Sequence, residues 1–140
     1  MDSSRKTVQL IYEAFGRGDV KSILGHMTED VQWEYAWTDS PVPWLRPGRG
    51  RDHVARFFGI IGKELDFKNF KVNHVLSEGN LVVALVSLEV TVRSTGKRII
   101  ETDEAHIWYF NESGQVQKFR HAADTYQHAQ ALQRAEARLR

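Results

Sequence analysis

The 140-residue chain predicts an α+β domain, with helices packed on one face of a curved antiparallel sheet. Three observations carry that expectation. Apolar residues recur at helical spacing through the first half of the chain, and they alternate with polar ones through most of the second. A single strand-like run separates the second helix from the third. No repeat, linker or low-complexity tract divides the sequence, so residues 1–140 read as one domain.

Val8, Ile11, Tyr12 and Phe15 fall at i, i+3, i+4 and i+7, one face of a first helix that Ser3 or Ser4 can cap and Gly16 and Gly18 end. Asp19 caps a short second helix with Ile23, Leu24 and Met27 on its apolar side. Val31, Trp33 and Tyr35 then alternate with Gln32 and Glu34, the pattern of a half-buried strand. Residues 38–50 hold all three prolines, two glycines, Trp44 and Leu45, which reads as a long loop serving as a lid. Asp52 opens a third helix bearing Val54, Phe57, Phe58, Ile61 and Leu65.

Strands follow. Phe70–Ser77 is one, with Val72 and His74 on a shared face. Leu81–Arg93 is the clearest, Leu88, Val90 and Val92 alternating with Ser87, Glu89, Thr91 and Arg93. Turns at 94–97 and 111–114 set off a long strand at Arg98–Phe110 and a last one from Gln115. Residues 126–140 read as an exposed C-terminal helical tail with a thin seam of Ala129, Leu132 and Ala135.

Composition narrows the function. Nineteen basic against eighteen acidic side chains leave a net charge of +1, which calls for neither nucleic acid nor an anionic membrane as partner. The absence of cysteine removes disulfides, thiolate metal sites and cysteine nucleophiles, and fits a cytoplasmic protein. The N-terminus has no apolar signal core, and the longest apolar run, Leu81–Val86, is far short of the roughly 20 residues of a membrane helix. Glycine-rich phosphate loops, zinc-protease helices and serine nucleophile elbows are all missing. Arg46, Arg49 and Arg51 in the proline-rich loop read as a solvated cluster rather than an anion site.

The remaining chemistry lies in histidines and aromatic residues on strands. His106 shares a face with Glu104, Trp108 and Phe110, and His121 shares one with Phe119. If both faces turn toward the helices, two imidazoles enter an aromatic interior beside Trp33 and Tyr35. Imidazole suits proton transfer there because its ordinary pKa of about 6.5 lies near neutrality. A hydrogen-bonded, purely structural histidine is the competing reading for each. A metal site from His74, His106 and His121 is conceivable but lacks close ligand spacing, so neither metal nor cofactor is expected. Asp124, three residues after His121, falls on the opposite face of an extended strand and reads as a partner of Arg120 or a strand-end residue. Whether Glu34 or Glu104 reaches the interior stays open at this level.

Several segments together resemble a known family. They are Phe15-Gly16-Arg17-Gly18-Asp19-Val20, Thr28–Trp33, Gly48-Arg49-Gly50-Arg51-Asp52 and Phe110-Asn111-Glu112-Ser113-Gly114-Gln115-Val116. In this order they resemble nuclear transport factor 2-like domains, and most of all the SnoaL-like, ketosteroid-isomerase-related proteins, over roughly residues 5–127. The resemblance implies a cone-shaped α+β (cystatin-like) fold with three N-terminal helices, a deep apolar pocket and a homodimer through the outer sheet face. It carries the isomerase tyrosine onto Ile11, with Tyr12 one residue off, the isomerase base onto Tyr35 beside Glu34, and the protonated isomerase aspartate onto His106. None of those residue types is kept, so the steroid isomerase mechanism is not expected. The acid/base aspartate of SnoaL-like cyclases falls on His121.

Three functions compete. In the first, an enzyme of isomerase, cyclase, lyase or hydrolase type works on a small apolar carbonyl or polyketide-like substrate. His121 is its acid/base, His106 and Tyr35 are oxyanion donors, and Trp33, Trp44, Phe57 and Trp108 are the apolar wall. The second is a non-catalytic pocket for a small hydrophobic ligand. The third is a dimeric protein-interaction scaffold.

Overall fold

The computed structural model describes residues 3–134. The chain runs α1 (Ser3–Gly16), α2 (Val20–Gly25), β1 (Met27–Trp33), a 3-10 turn (Pro43–Leu45), β2 (Gly48–Arg49) and α3 (Arg51–Glu64). It continues through β3 (Leu65–Glu78), β4 (Leu81–Val92), β5 (Arg98–Phe110), β6 (Val116–Ala122) and α4 (Thr125–Leu132). The six strands form one sheet in the order β2-β1-β6-β5-β4-β3.

The α+β class agrees with the sequence, but the sheet is mixed rather than wholly antiparallel. β1 runs parallel to β6, with Trp33 opposite Phe119, while every other neighbouring pair is antiparallel. The reason is connectivity: β1 precedes α3, and the chain returns to pair with it only after the β3–β6 meander. The sheet stays unclosed, and four of its five pairings carry a bulge or register shift that adds local twist and bend.

The helices form for the reasons read from sequence. Val8, Ile11 and Ala14 bury the inner stripe of α1. Asp19 caps α2, its carboxylate accepting from the Ser22 N–H at 3.1 Å. The cap of α3 is Gly50, and Asp52 stands in its first turn. Gly50 sits at φ 95°, where a side chain is disfavoured, and its N–H donates to Val31 O at 2.7 Å. This bond ties the start of α3 to β1.

β4 alternates without a break, burying Val82, Ala84, Val86, Leu88, Val90 and Val92. β3 begins at Leu65, directly after α3, and so is longer than the Phe70–Ser77 segment that the sequence marks. The C-terminal helix α4 is not an exposed tail, because His128 and Ala131 are buried against the body of the fold. Asp124 caps it, accepting from the Gln127 N–H at 3.2 Å, and so serves neither Arg120 nor His121. Ala135–Arg140, where the predicted tail would continue, lie outside the described residues.

The loop arginines do structural work. Arg51 Nε and Nη2 donate to Met27 O at 3.1 and 2.6 Å, and Arg46 Nε donates to Ser40 O at 3.3 Å. No helix among the described residues is long and apolar enough to cross a membrane.

Candidate active site

Between the sheet and the helices lies a cavity of about 80 Å³, room for a handful of waters at the roughly 10–15 Å³ that each needs. Trp33, Trp44, Phe57 and Trp108 line it, with His106, His121 and His128 among the polar groups in the wall. Phe119 ties the aromatic wall together: its ring stacks on Trp33 at 4.2 Å between centroids and meets Trp108 at 4.5 Å. Trp44 and Leu45, on the proline-rich loop, are buried and close one side.

His106 and His121 are direct cross-strand partners on β5 and β6, their ring centroids 4.8 Å apart. Both therefore turn to the same interior. Tyr35 does not. The alternation of β1 breaks at Glu34, whose φ of 54° is the sole left-handed non-glycine backbone among the described residues. That reversal turns Glu34 inward beside Trp33, both of them buried. Tyr35 instead packs against Tyr109, with the Lys118 ammonium 4.8 Å from its ring centroid. It is absent from the cavity wall, so the oxyanion-donor role expected of it is withdrawn.

Glu34 takes up the inward place with specific contacts. One carboxylate oxygen accepts from the His121 backbone N–H at 3.1 Å, and the other accepts a very short hydrogen bond from the ring Nδ1–H. Burial disfavours charge on His121, but the charge and hydrogen bond of Glu34, with Glu104 and Glu101 behind, outweigh it and raise the imidazole pKa. His121 Nε2 makes no hydrogen bond among the described residues, which leaves it free to meet a ligand.

His106 is differently placed. Its Nδ1 lies 2.6 Å from the Tyr12 hydroxyl and its Nε2 lies 2.6 Å from a Glu104 oxygen. Burial lowers the His106 pKa more than Glu104 raises it. Burial also lifts the Tyr12 phenol far above its ordinary value, so Tyr12 keeps its proton and donates to Nδ1. Nε2–H then donates to Glu104. Burial alone would raise the Glu104 pKa, but the hydrogen bond from His106 and the imidazoles around it hold the carboxyl down at about 2. With both nitrogens committed, His106 cannot be the direct oxyanion donor that sequence suggested.

A third pair was not legible. His128 on α4 lies 2.8 Å from Glu101 through Nε2, and it accepts the Trp44 indole N–H at Nδ1, 2.9 Å away. An indole N–H can only donate, so Nδ1 is the bare nitrogen and Nε2–H faces Glu101. Glu101 and Glu104 both face inward because β5 carries an extra residue between them: Glu101 pairs with Leu88 and Glu104 with Val86. A comparable bulge at Asn73 turns His74 to the exposed side of β3, so the set His74, His106 and His121 does not assemble.

Glu104, His106 and His121 offer ligand atoms within 4.8 Å of one another, close enough to share a divalent cation. The hydrogen bonds to Tyr12, Glu104 and Glu34 already occupy three of their four ring nitrogens, which fits a proton network better. The buried indole N–H of Trp33 meets no acceptor among the described residues, and that of Trp108 falls short of hydrogen-bonding geometry to the neighbouring Tyr12.

This architecture and its inward-facing cavity define a nuclear transport factor 2-like pocket protein. The SnoaL-like domain model matches residues 8–119, and the chain belongs to that family. An NTF2-like protein from Burkholderia xenovorans LB400 superposes with a TM-score of 0.83 at 20% identity, over 95% of this chain and 98% of that one. TerC, crystallised with polyporic acid, superposes at 0.74 with 19% identity, over 92% and 97%. A candidate polyketide cyclase from Xanthomonas campestris pv. campestris superposes at 0.64 with 21% identity, over 86% and 89%. No curated protein matches the chain.

Proposed function

We propose that this protein binds a small, largely apolar molecule through a carbonyl or enol oxygen and transfers a proton there, with His121 as acid/base and Glu34 as its orienter. One observation carries the reading: His121 Nε2 is uncommitted in an aromatic cavity, while Nδ1 is pinned by a buried carboxylate. That is the arrangement by which a carboxylate fixes the tautomer and supports the charge of a working imidazole. Trp33, which lines the same cavity, has a buried indole N–H with no acceptor among the described residues, so a ligand that offers an acceptor suits this wall. The candidate polyketide cyclase and the polyporic acid complex among the relatives support an oxygen-bearing apolar ligand.

The raised pKa decides which form works near neutrality. His121 carries its proton through pH 6.5 and somewhat above, so it acts there as an acid toward a developing oxyanion and becomes a base only at higher pH. With about 80 Å³ open, a ligand larger than a single ring must displace side chains as it enters. Trp44 and Leu45, on the loop, are the wall residues best placed to yield.

The test uses a small bicyclic aromatic ketone in D2O, with deuterium entry at its α-carbon followed by proton NMR. Exchange catalysed by the wild type should fall about 100-fold or more in His121→Phe, the size expected for a lost general acid/base. Equal exchange by the two proteins would overturn the proposal.

A further inference from the structure

We propose that Tyr12, His106 and Glu104 form a second proton-transfer unit in the same cavity, one that takes a proton from a phenol or enol hydroxyl while His121 faces the resulting oxyanion. This rests on the reading of the cavity just given and goes beyond it in assigning a substrate class and a direction of proton flow.

The geometry is that of a relay. Tyr12 Oη, His106 Nδ1, His106 Nε2 and a Glu104 oxygen lie in sequence, with 2.6 Å at each of the two hydrogen bonds. His106 and Glu104 are buried, and Tyr12 lines the cavity. A hydroxyl, an imidazole and a carboxylate in that order make up the nucleophile–base–orienter constellation of acyl transfer, but here the first group is a phenol. A phenol is a poor nucleophile while it holds its proton, yet it passes protons readily: its oxygen accepts one hydrogen bond as it donates another.

The step balances without any outside reagent. The ligand O–H bond breaks as a new O–H bond forms at Tyr12 Oη. The original Tyr12 O–H bond breaks as a bond forms at His106 Nδ1. Tyr12 is neutral before and after, so no buried tyrosinate arises. His106 becomes an imidazolium held against the Glu104 carboxylate, and the ligand becomes an oxyanion held against His121 Nε2–H. The charges around His106 suit this. Glu104 faces it directly, with His128 Nε2 3.9 Å behind the second Glu104 oxygen. His121 lies on the ligand side, its ring centroid 4.8 Å away, and would oppose a second positive charge until an oxyanion came between them. His106 therefore gains a proton only when an acidic hydroxyl is bound and stays neutral without one. The two histidines, cross-strand neighbours, hold opposite ends of one transfer because one has a free nitrogen and the other has none.

The probe is 4-nitrophenol, whose phenolate absorbs in the visible. Bound to the wild type, it should ionise about tenfold more at a given pH than it does free in solution. Imidazole nitrogen-15 spectra should show His106 passing from one ring proton to two as the phenol binds. Tyr12→Phe keeps the ring and removes the relay oxygen. In that variant the phenol should still bind, lose most of the extra ionisation, and leave His106 neutral. Glu104→Gln, at the far end of the relay, should weaken ionisation in the same direction. If His106 stays neutral in the wild type with phenol bound, or if Tyr12→Phe ionises the phenol equally, the relay is overturned and the His121 reading stands. If the phenol fails to bind the wild type, the ligand cavity itself is refuted and the relay falls with it.

Discussion

Glu34 holds His121 at two points, accepting from its backbone N–H and from its ring Nδ1–H, so one carboxylate fixes both the strand and the imidazole it carries. The main chain of Glu34 also donates to Phe119 O at 2.7 Å, extending the β1–β6 pairing to the residue that supplies the carboxylate.

Glu34→Gln removes the charge and keeps the shape. The raised His121 pKa should drop toward or below 6.5, because burial then acts with less opposition. The linkage to stability has a definite sign. A histidine whose folded pKa is raised contributes stability that is complete below about 6.5 and is lost as pH rises through the folded value. Urea unfolding of the wild type between neutral and mildly alkaline pH should show that decline, and the variant should show it weakly or not at all.

Glu104 predicts the opposite slope in acid. Its folded pKa of about 2 against an ordinary 4.5 contributes stability that is present above 4.5 and lost as pH falls toward 2. The difference corresponds to about 3 kcal/mol. Glu104→Gln should flatten the acid limb of a plot of unfolding free energy against pH; a limb as steep as that of the wild type would contradict the assigned network.

His128 predicts a coupling between α4 and the loop at 43–45. His128→Leu would leave the Trp44 indole N–H and the Glu101 carboxylate buried without their partner. A cost of about 2–4 kcal/mol is expected, with faster amide exchange across Thr125–Leu132 and Pro43–Leu45 together. Loss of protection in only one of the two segments would argue that they open independently.

Gly50 gives a backbone test. At φ 95° an alanine is strained, so Gly50→Ala should lower stability by about 1–2 kcal/mol, read as a shift in the denaturant midpoint at unchanged slope.

Much of the fold is legible because its signals are local. The Asp19 cap, the α1 stripe of Val8 and Ile11, and the unbroken alternation from Val82 to Val92 each need only neighbouring residues to be read. The same period puts His106 and His121 on one interior face. It fails wherever the period itself is reset. The left-handed backbone at Glu34 exchanges it with Tyr35, the extra residue on β5 brings Glu101 in with Glu104, and the bulge at Asn73 sends His74 out. Periodicity cannot announce its own interruption, although a run of carboxylates beside histidines on one strand is a signal worth following. His128 is hidden for another reason. Its helix has a thin apolar stripe, and its burial depends on Trp44 and Glu101, 84 and 27 residues away.

The parallel seam between β1 and β6 pairs Trp33 with Phe119, and the Glu34–His121 pair, 87 positions apart in the chain, stands at its end. Acid and imidazole therefore meet only after the entire meander has been laid down and its last ribbon has docked beside the first. Proton transfer at this pair would mark completed folding: a molecule arrested with its helices and central hairpin formed would be compact yet inert.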